Sequence, residues 1–222
     1  RLEEKSELIQ EAKLISNGSV PVIMNVAEAS TSEALKSVTQ ALRDGADGLM
    51  VLPPMRYKAD SRETVHYFQS IAKHSDLPIM IYNNPVDYGI EVTIPMFEEL
   101  LQCETIQAVK ESTRVTSNIT KLRNAFGQRL AILTGVDTIA FESLMLGADG
   151  WVAGLVDAFP KETVAIYELV KKGEYAKAKS INDWFMPLLE LDVNSKLVQN
   201  IKLAAQATGL GTEFVRLPRL PL

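Results

Sequence analysis

Two residues stand out for their chemistry, a lysine and a tyrosine, each closing an apolar stretch. Lys110 ends the run in "IQAVKES", and Tyr82 ends the run in "LPIMIYNNPVD". A lysine at the end of a buried strand is costly to keep charged, and burial of an amine favours its neutral form. A neutral amine attacks a carbonyl carbon and forms a Schiff base. A phenol in the same mouth can carry protons to and from the carbinolamine. Both residues also admit plain structural roles. Lys110 can snorkel out of the sheet end or pair with Glu111, and Tyr82 can be a rim aromatic with its hydroxyl in water. Asn83, Asn84 and Pro85 are turn residues in the first instance.

Other chemistries are thinly supplied. Cys103 is the single cysteine, which leaves no internal disulfide and no cysteine-based zinc site. His66 and His74 are the only histidines. They are too few for a histidine-based metal site, offer little to a Ser-His-Asp triad, and are expected on the surface or in packing. No metal and no cofactor is expected. The net charge of −5 comes without a basic patch, which argues against a nucleic-acid partner. The apolar runs fall short of the roughly 18 residues that span a bilayer, so no membrane segment is expected. The opening "RLEEKSELIQEAK" is charged throughout and does not read as a signal peptide, so a cytoplasmic location is expected.

The elements that must position Tyr82 and Lys110 alternate along the chain. "LEEKSELIQEAKLIS" spaces Leu2, Leu8, Ile9, Ala12 and Ile15 as a helix, and Asn17-Gly18 stops it. "VPVIMNV" reads as a strand, "STSEALKSVTQALRDG" as a capped helix, and "GLMVLPP" as a strand. The alternation continues through "SRETVHYFQSIAKHS", "LPIMIYN", "TIPMFEELLQ", "IQAVKES", "TSNITKLRNAFG", "LAILTGV", "DTIAFESLMLG" and "GWVAGLV". Two or three helices then follow from Pro160 to Gly209. The strands are unbroken apolar runs, as expected where helices cover both faces of a parallel sheet. With 222 residues, 46% hydrophobic and 23% charged, and no linker, the chain reads as one domain over residues 1–222, including the C-terminal helices from about 160.

No Gly-x-Gly-x-x-Gly follows any strand, which disfavours a dinucleotide fold. An open doubly wound sheet and a (β/α)8 barrel remain. About six strands are visible where a barrel needs eight, and the chain opens in a helix. The favoured expectation is an α/β (β/α)8 TIM barrel with its first two strand–helix units absent from this chain. In either fold the carboxyl ends of the strands collect the functional groups. Here they offer Asn25, Pro53-Pro54-Met55-Arg56, Tyr82-Asn83-Asn84-Pro85, Lys110-Glu111-Ser112, Thr134-Gly135-Val136-Asp137 and Ala153-Gly154. Asp137 reads as a helix N-cap after a tight turn.

At Tyr82-Asn83-Asn84-Pro85 and Val109-Lys110-Glu111-Ser112 the chain resembles the dihydrodipicolinate synthase / N-acetylneuraminate lyase superfamily. "GADGLMVLPP", "LTGVD" and "GADGWVAGLVDAFP" match further blocks, so the resemblance covers essentially the whole chain. It implies a barrel with C-terminal helices, Lys110 as the Schiff-base lysine and Tyr82 as the acid/base residue. Val152 and Gly154 would line the pocket, with Asp87 and Arg56 among the substrate-binding positions. The family's Gly-Thr-x-Gly-Glu-like carboxylate motif has no counterpart here and would precede Arg1. The resemblance also implies a homo-oligomer, tetramer or dimer, and a small-molecule 2-oxo acid or imine as substrate.

Two departures bear on the substrate. Where the synthases carry an arginine for a second carboxylate, this chain has Asp87, which would repel one. Where they carry Tyr-Tyr, Met55-Arg56 stands. "LPPMRYKAD", "YNNPVDYGIEVT", "LDVNSKLVQNIKLA" and "RLPRLPL" are most similar to the 1-pyrroline-4-hydroxy-2-carboxylate deaminase branch. The implied reaction converts that cyclic imine to 2,5-dioxopentanoate. The alternatives are a 2-keto-3-deoxy sugar acid dehydratase or aldolase, the synthase itself, a binding barrel without turnover, and an open-sheet protein in which Lys110 is structural.

Overall fold

The computed structural model describes residues 1–54 and 57–222. They cluster into two compact units, Arg1–Thr113 with Ala125–Ala131, and Arg114–Asn124 with Ile132–Leu222.

The first unit alternates helix and strand. Helix α1 (Leu2–Ser16) stops at Asn17, whose φ of 45° is left-handed. Of the five residues read as its apolar stripe, Ile9 alone is buried, while Leu8 and Ile15 face outward. The helix docks instead through polar bonds, from Lys5 to Glu28 at 3.0 Å, Ser6 to Asp44 at 2.8 Å and Lys13 to Asp47 at 2.8 Å. Strand β1 (Ile23–Val26) leads to α2 (Thr31–Arg43), where the Ser30 hydroxyl accepts from Glu33 N and Ala34, Ser37, Val38 and Ala41 form the buried stripe. Strand β2 (Gly48–Val51) precedes α3 (Ser61–Ala72), which opens on a reciprocal Asp60–Glu63 capping box. Then come β3 (Ile79–Asn83), one helical turn α4 (Pro85–Tyr88), α5 (Ile94–Leu100) and β4 (Ile106–Glu111).

Strands β1 to β4 pair in parallel, each with the next. Val26, Val51, Ile81 and Val109 stand side by side in this register and are fully buried. Each contributes about 1.5–3 kcal/mol of burial, so this row is a main hold on the sheet. The other face carries Asn25, Met50, Met80 and Ala108, all partly or fully exposed. Burial on both faces was expected from the apolar runs. The difference lies in Met50 and Met80, which read as core letters but stand on the accessible face. Between Ile79 and Met80 the β3–β4 register shifts by one residue, so that Ile79 pairs with Ile106 but Met80 with Ala108.

The second unit holds most of α6 (Ser117–Phe126) and β5 (Ala131–Thr134). It continues with α7 (Ala140–Met145), β6 (Gly150–Trp151), α8 (Pro160–Lys171), α9 (Tyr175–Leu189) and α10 (Leu197–Ala207). Within it β5 and β6 pair in parallel, and Phe159 packs edge-on against the buried Phe185 at 5.3 Å. Strand β6 is shorter than the "GWVAGLV" run suggests. The Gly154 and Leu155 N–H groups donate to the Asp137 carboxylate instead of a ladder, and the chain turns there. Asp137 itself is fully buried and is the first residue of a 3-10 turn, Asp137–Ile139, whose N-cap is Val136. Among the described residues, no helix is long and apolar enough to cross a membrane. Nor does any group of three or more His, Cys, Asp or Glu among them gather as a metal site would require.

Candidate active site

Tyr82 and Lys110 end adjacent strands and are direct partners in the β3–β4 register. Both are partly buried. The Lys110 Nζ lies over the Tyr82 ring, 4.1 Å from its centroid. A contact of this kind is worth roughly 0.5–2 kcal/mol for a charged amine, and it holds amine and phenol on one face of the sheet. One substrate carbon bonded to that nitrogen would have the phenol as its neighbour.

The next pair along, Asn83 and Glu111, points to the opposite face and is buried. Asn83 Nδ2 donates to Glu111 Oε2 at 3.1 Å and to the Val92 carbonyl at 3.2 Å, and Asn83 Oδ1 accepts from Val92 N at 2.9 Å. Glu111 Oε1 accepts from Thr113 N at 2.9 Å. The pairing of Lys110 with Glu111 that the sequence left open is thus set aside by strand alternation, since neighbouring side chains point apart.

The rim above Tyr82 is built by α4. Asn84 caps it, its Oδ1 accepting from Asp87 N at 3.2 Å, and Pro85 occupies the first turn. Gly89, with φ of 72°, ends it as only a glycine does at low cost. The buried Asn84 also donates through Nδ2 to Asp87 Oδ2 at 2.7 Å and makes a longer contact of 3.4 Å to the Tyr82 hydroxyl. The single turn carries Tyr88 back onto Tyr82, with ring centroids 5.5 Å apart and planes at 88°. Burial first, then the charge and hydrogen bond of Tyr82 and the charge of Asp87, push the Tyr88 hydroxyl far above its ordinary pKa.

Lys110, Tyr82 and Asp87 are therefore brought into one cluster in the first unit. Val152 and Gly154 lie in the second unit, on the turn after β6, where Val152 N donates to the Thr134 carbonyl at 2.9 Å. A Cβ on Gly154 would stand 2.5 Å from Asp192 Oδ1. Asp192 is itself held by the Asp137 N–H, so Gly154 is small for a packing reason. Arg56 falls outside the described residues. The sequence reading missed Tyr88. Its signal was the Asn-Pro opening and the glycine after it, which together mark one closed helical turn.

Comparison with known proteins bears on the whole chain. Residues 1–222 match the model of the Dihydrodipicolinate synthetase family. The chain is 30% identical over 222 residues to a 4-hydroxy-tetrahydrodipicolinate synthase of Sodalis glossinidius, covering 99% of this chain and 76% of that protein. It is 29% identical over 220 residues to the probable 2-dehydro-3-deoxy-D-pentonate aldolase YjhH of Escherichia coli, covering 97% and 73%. Among solved structures, it superposes on dihydrodipicolinate synthase from Aquifex aeolicus with a TM-score of 0.93 at 26% identity, over 100% of this chain and 76% of that one. The chloride-inhibited synthase from Acinetobacter baumannii, complexed with pyruvate, gives a TM-score of 0.94 at 25% identity over the same shares. The α/β fold with its parallel strands is the fold of these proteins. The chain thus belongs to the dihydrodipicolinate synthetase family, and with it to the enzymes that work as lysine Schiff-base lyases.

Proposed function

We propose that Lys110 is the Schiff-base lysine and Tyr82 the acid/base residue, and that the reaction is the deamination and dehydration of 1-pyrroline-4-hydroxy-2-carboxylate to 2,5-dioxopentanoate. The observation that carries this reading is the Lys110 amine over the Tyr82 ring, on paired strand ends. The amine adds to C2 of the cyclic imine, and the ring C2–N bond breaks to leave an iminium on Lys110. The iminium acidifies C3, and the Tyr82 oxygen takes that proton. The 4-hydroxyl leaves as water. The C3–C4 double bond then moves to C4–C5 as a proton leaves C5 and one is added at C3, and the resulting C5 enamine becomes an imine by protonation at C4 and loss of an N–H proton. One water hydrolyses this C5 imine and releases ammonia, and another hydrolyses the lysine adduct and releases product.

Asp87, Arg56, Val152 and Gly154 are proposed as substrate-contacting positions. The reading also includes two strand–helix units before β1, a closed barrel, and a homo-oligomer. The pyruvate complex of the Acinetobacter relative supports a 2-oxo acid as the minimal ligand.

A second reading, a 2-keto-3-deoxy sugar acid dehydratase or aldolase, uses the same amine and phenol. It is favoured by the likeness to the pentonate aldolase.

Borohydride reduction of the full-length protein with pyruvate tests the shared chemistry. A stable adduct on Lys110 is expected, and an adduct elsewhere, or none, overturns it. Ammonia release from the hydroxylated pyrroline carboxylate then separates the first reading from the second.

A further inference from the structure

We propose that Asn84 is a positioning residue for proton transfer, its side-chain amide donating to the Tyr82 oxygen while that oxygen is charged. The proposal rests on the reading of Tyr82 as the acid/base residue. Tyr82 gives its proton to the group that leaves C2, which is the ring nitrogen of the imine or, with pyruvate, the hydroxyl of the carbinolamine. The phenolate left behind then takes a proton from C3. An O–H bond forms and the C3–H bond breaks. The released pair becomes the C2–C3 double bond, and the iminium pair withdraws onto the Lys110 nitrogen. Between the two transfers the oxygen needs a donor that takes part in neither.

The Asn84 amide is such a donor. Its Nδ2 hydrogen-bonds the Tyr82 hydroxyl oxygen at 3.4 Å. An amide nitrogen only donates, so in this pair the oxygen accepts. Asp87 fixes which end of the amide carries the nitrogen. The Asp87 N–H donates to Asn84 Oδ1 at 3.2 Å, and the Asp87 Oδ2 accepts from Asn84 Nδ2 at 2.7 Å. Turning the amide over would set its oxygen against the carboxylate and its N–H groups against a backbone N–H. One Nδ2 hydrogen serves Asp87, and the other serves Tyr82. Asn84 is 5% exposed, so water competes little for that hydrogen. A bond of 3.4 Å is long for a neutral phenol, and charge on the acceptor shortens and strengthens it. The Lys110 amine lies over the ring, 4.1 Å from its centroid, so nucleophile and donor meet Tyr82 at different places.

The test uses pyruvate as probe with the full-length protein. In D2O, enamine formation on Lys110 exchanges the methyl hydrogens of pyruvate, followed by NMR, while the endpoint of borohydride trapping reports the Schiff base alone. Asn84→Ser keeps an acceptor for the cap of α4 and withdraws the amide from the Tyr82 oxygen. Exchange is expected to slow by roughly 10–100-fold, with trapping and KM unchanged. Asn84→Asp keeps the shape and the cap but lacks the N–H, and is expected to slow exchange at least as far. Exchange within twofold of wild type in either variant overturns the proposal, and so does a loss of exchange that runs parallel with a loss of trapping. Tyr82→Phe separates this role from a structural one. In that background Asn84→Ser is expected to slow exchange by less than a further twofold, because the oxygen it serves is gone. The full loss repeated there overturns the proposal. Exchange at the wild-type rate in Tyr82→Phe alone overturns the reading of Tyr82, and the proposal with it.

Discussion

Asn83 and Glu111 share a 3.1 Å hydrogen bond on the face of the sheet opposite to Tyr82 and Lys110, one residue further along the same two strands. The buried pair fixes the strand ends from behind, so the reactive pair in front inherits its spacing. Asn83→Ala removes the partners of both Val92 backbone groups and one of the bonds to Glu111. A loss of roughly 2–4 kcal/mol is expected, read from urea denaturation. Unchanged stability would show that the bonds behind the site do not hold it.

Lys110→Ala is expected to take turnover below detection and to abolish borohydride trapping, with the melting temperature near that of wild type. Among the described residues Lys110 brings the amine that lies over the Tyr82 ring, with no second one there, and binding alone does not replace covalent catalysis. Turnover retained in this variant would sink the Schiff-base reading of Lys110.

Asp87 bears on substrate choice. Its carboxylate is exposed and tied to Asn84, so its effect on an incoming carboxylate is that of a screened surface charge. The unaltered protein is expected not to condense pyruvate with aspartate semialdehyde at a useful rate. Asp87→Asn is expected to change affinity for a substrate with a second carboxylate by no more than about tenfold. Parallel assays of condensation, ammonia release and sugar-acid dehydration decide this. Efficient condensation with neither elimination detectable would remove the argument from Asp87 and leave Lys110 untouched.

Acid should loosen α1 in particular. Burial pushes the Glu28 carboxyl up, but hydrogen bonds from Lys5 and Ser37 outweigh it and leave it below its ordinary pKa. Asp44 is likewise lowered overall, with burial opposed by Gln10, Ser6 and Gln40. The Lys13 bond, followed by the Val22 N–H, lowers Asp47. Carboxyls with a lowered folded pKa contribute stability that is fully present above their unfolded values, near pH 4, and is lost as pH falls through the folded ones. Hydrogen exchange in α1 is therefore expected to quicken below about pH 4, ahead of β2 and β3. Uniform exchange across all these segments at low pH would contradict it.

The parts of the fold that were legible in the sequence are those whose causes are local. Asn17, the Ser30 cap and Gly45 mark helix ends because capping and left-handed turns act within a few residues. Lys110 and Tyr82 were legible as a pair because both close apolar runs. What could not be read depends on partners far along the chain. The polar docking of α1, the truncation of β6 by Asp137, and the turn of Tyr88 onto Tyr82 each need the fold first. Asp137 shows the limit most clearly. Its type and position suited a cap, yet its carboxylate accepts from Trp151 Nε1, Gly154 N and Leu155 N.

The one-residue register shift between β3 and β4 makes the site depend on parity. From Ile79 to Tyr82 the chain advances three residues, and from Ile106 to Lys110 it advances four. Equal advances would set Tyr82 beside Val109 and Lys110 beside Asn83, burying the amine among the valine and isoleucine row. Strand β4 therefore carries something like a reading frame. Exchanging the exposed Gln107 for another side chain leaves the frame intact, whereas inserting one more residue beside it sets Lys110 beside Asn83 and turns the nucleophile to the wrong side of the sheet. Drift by substitution is open to this segment, and drift by insertion of a single residue is closed. That is a constraint on the enzyme's evolution, set by counting and not by chemistry.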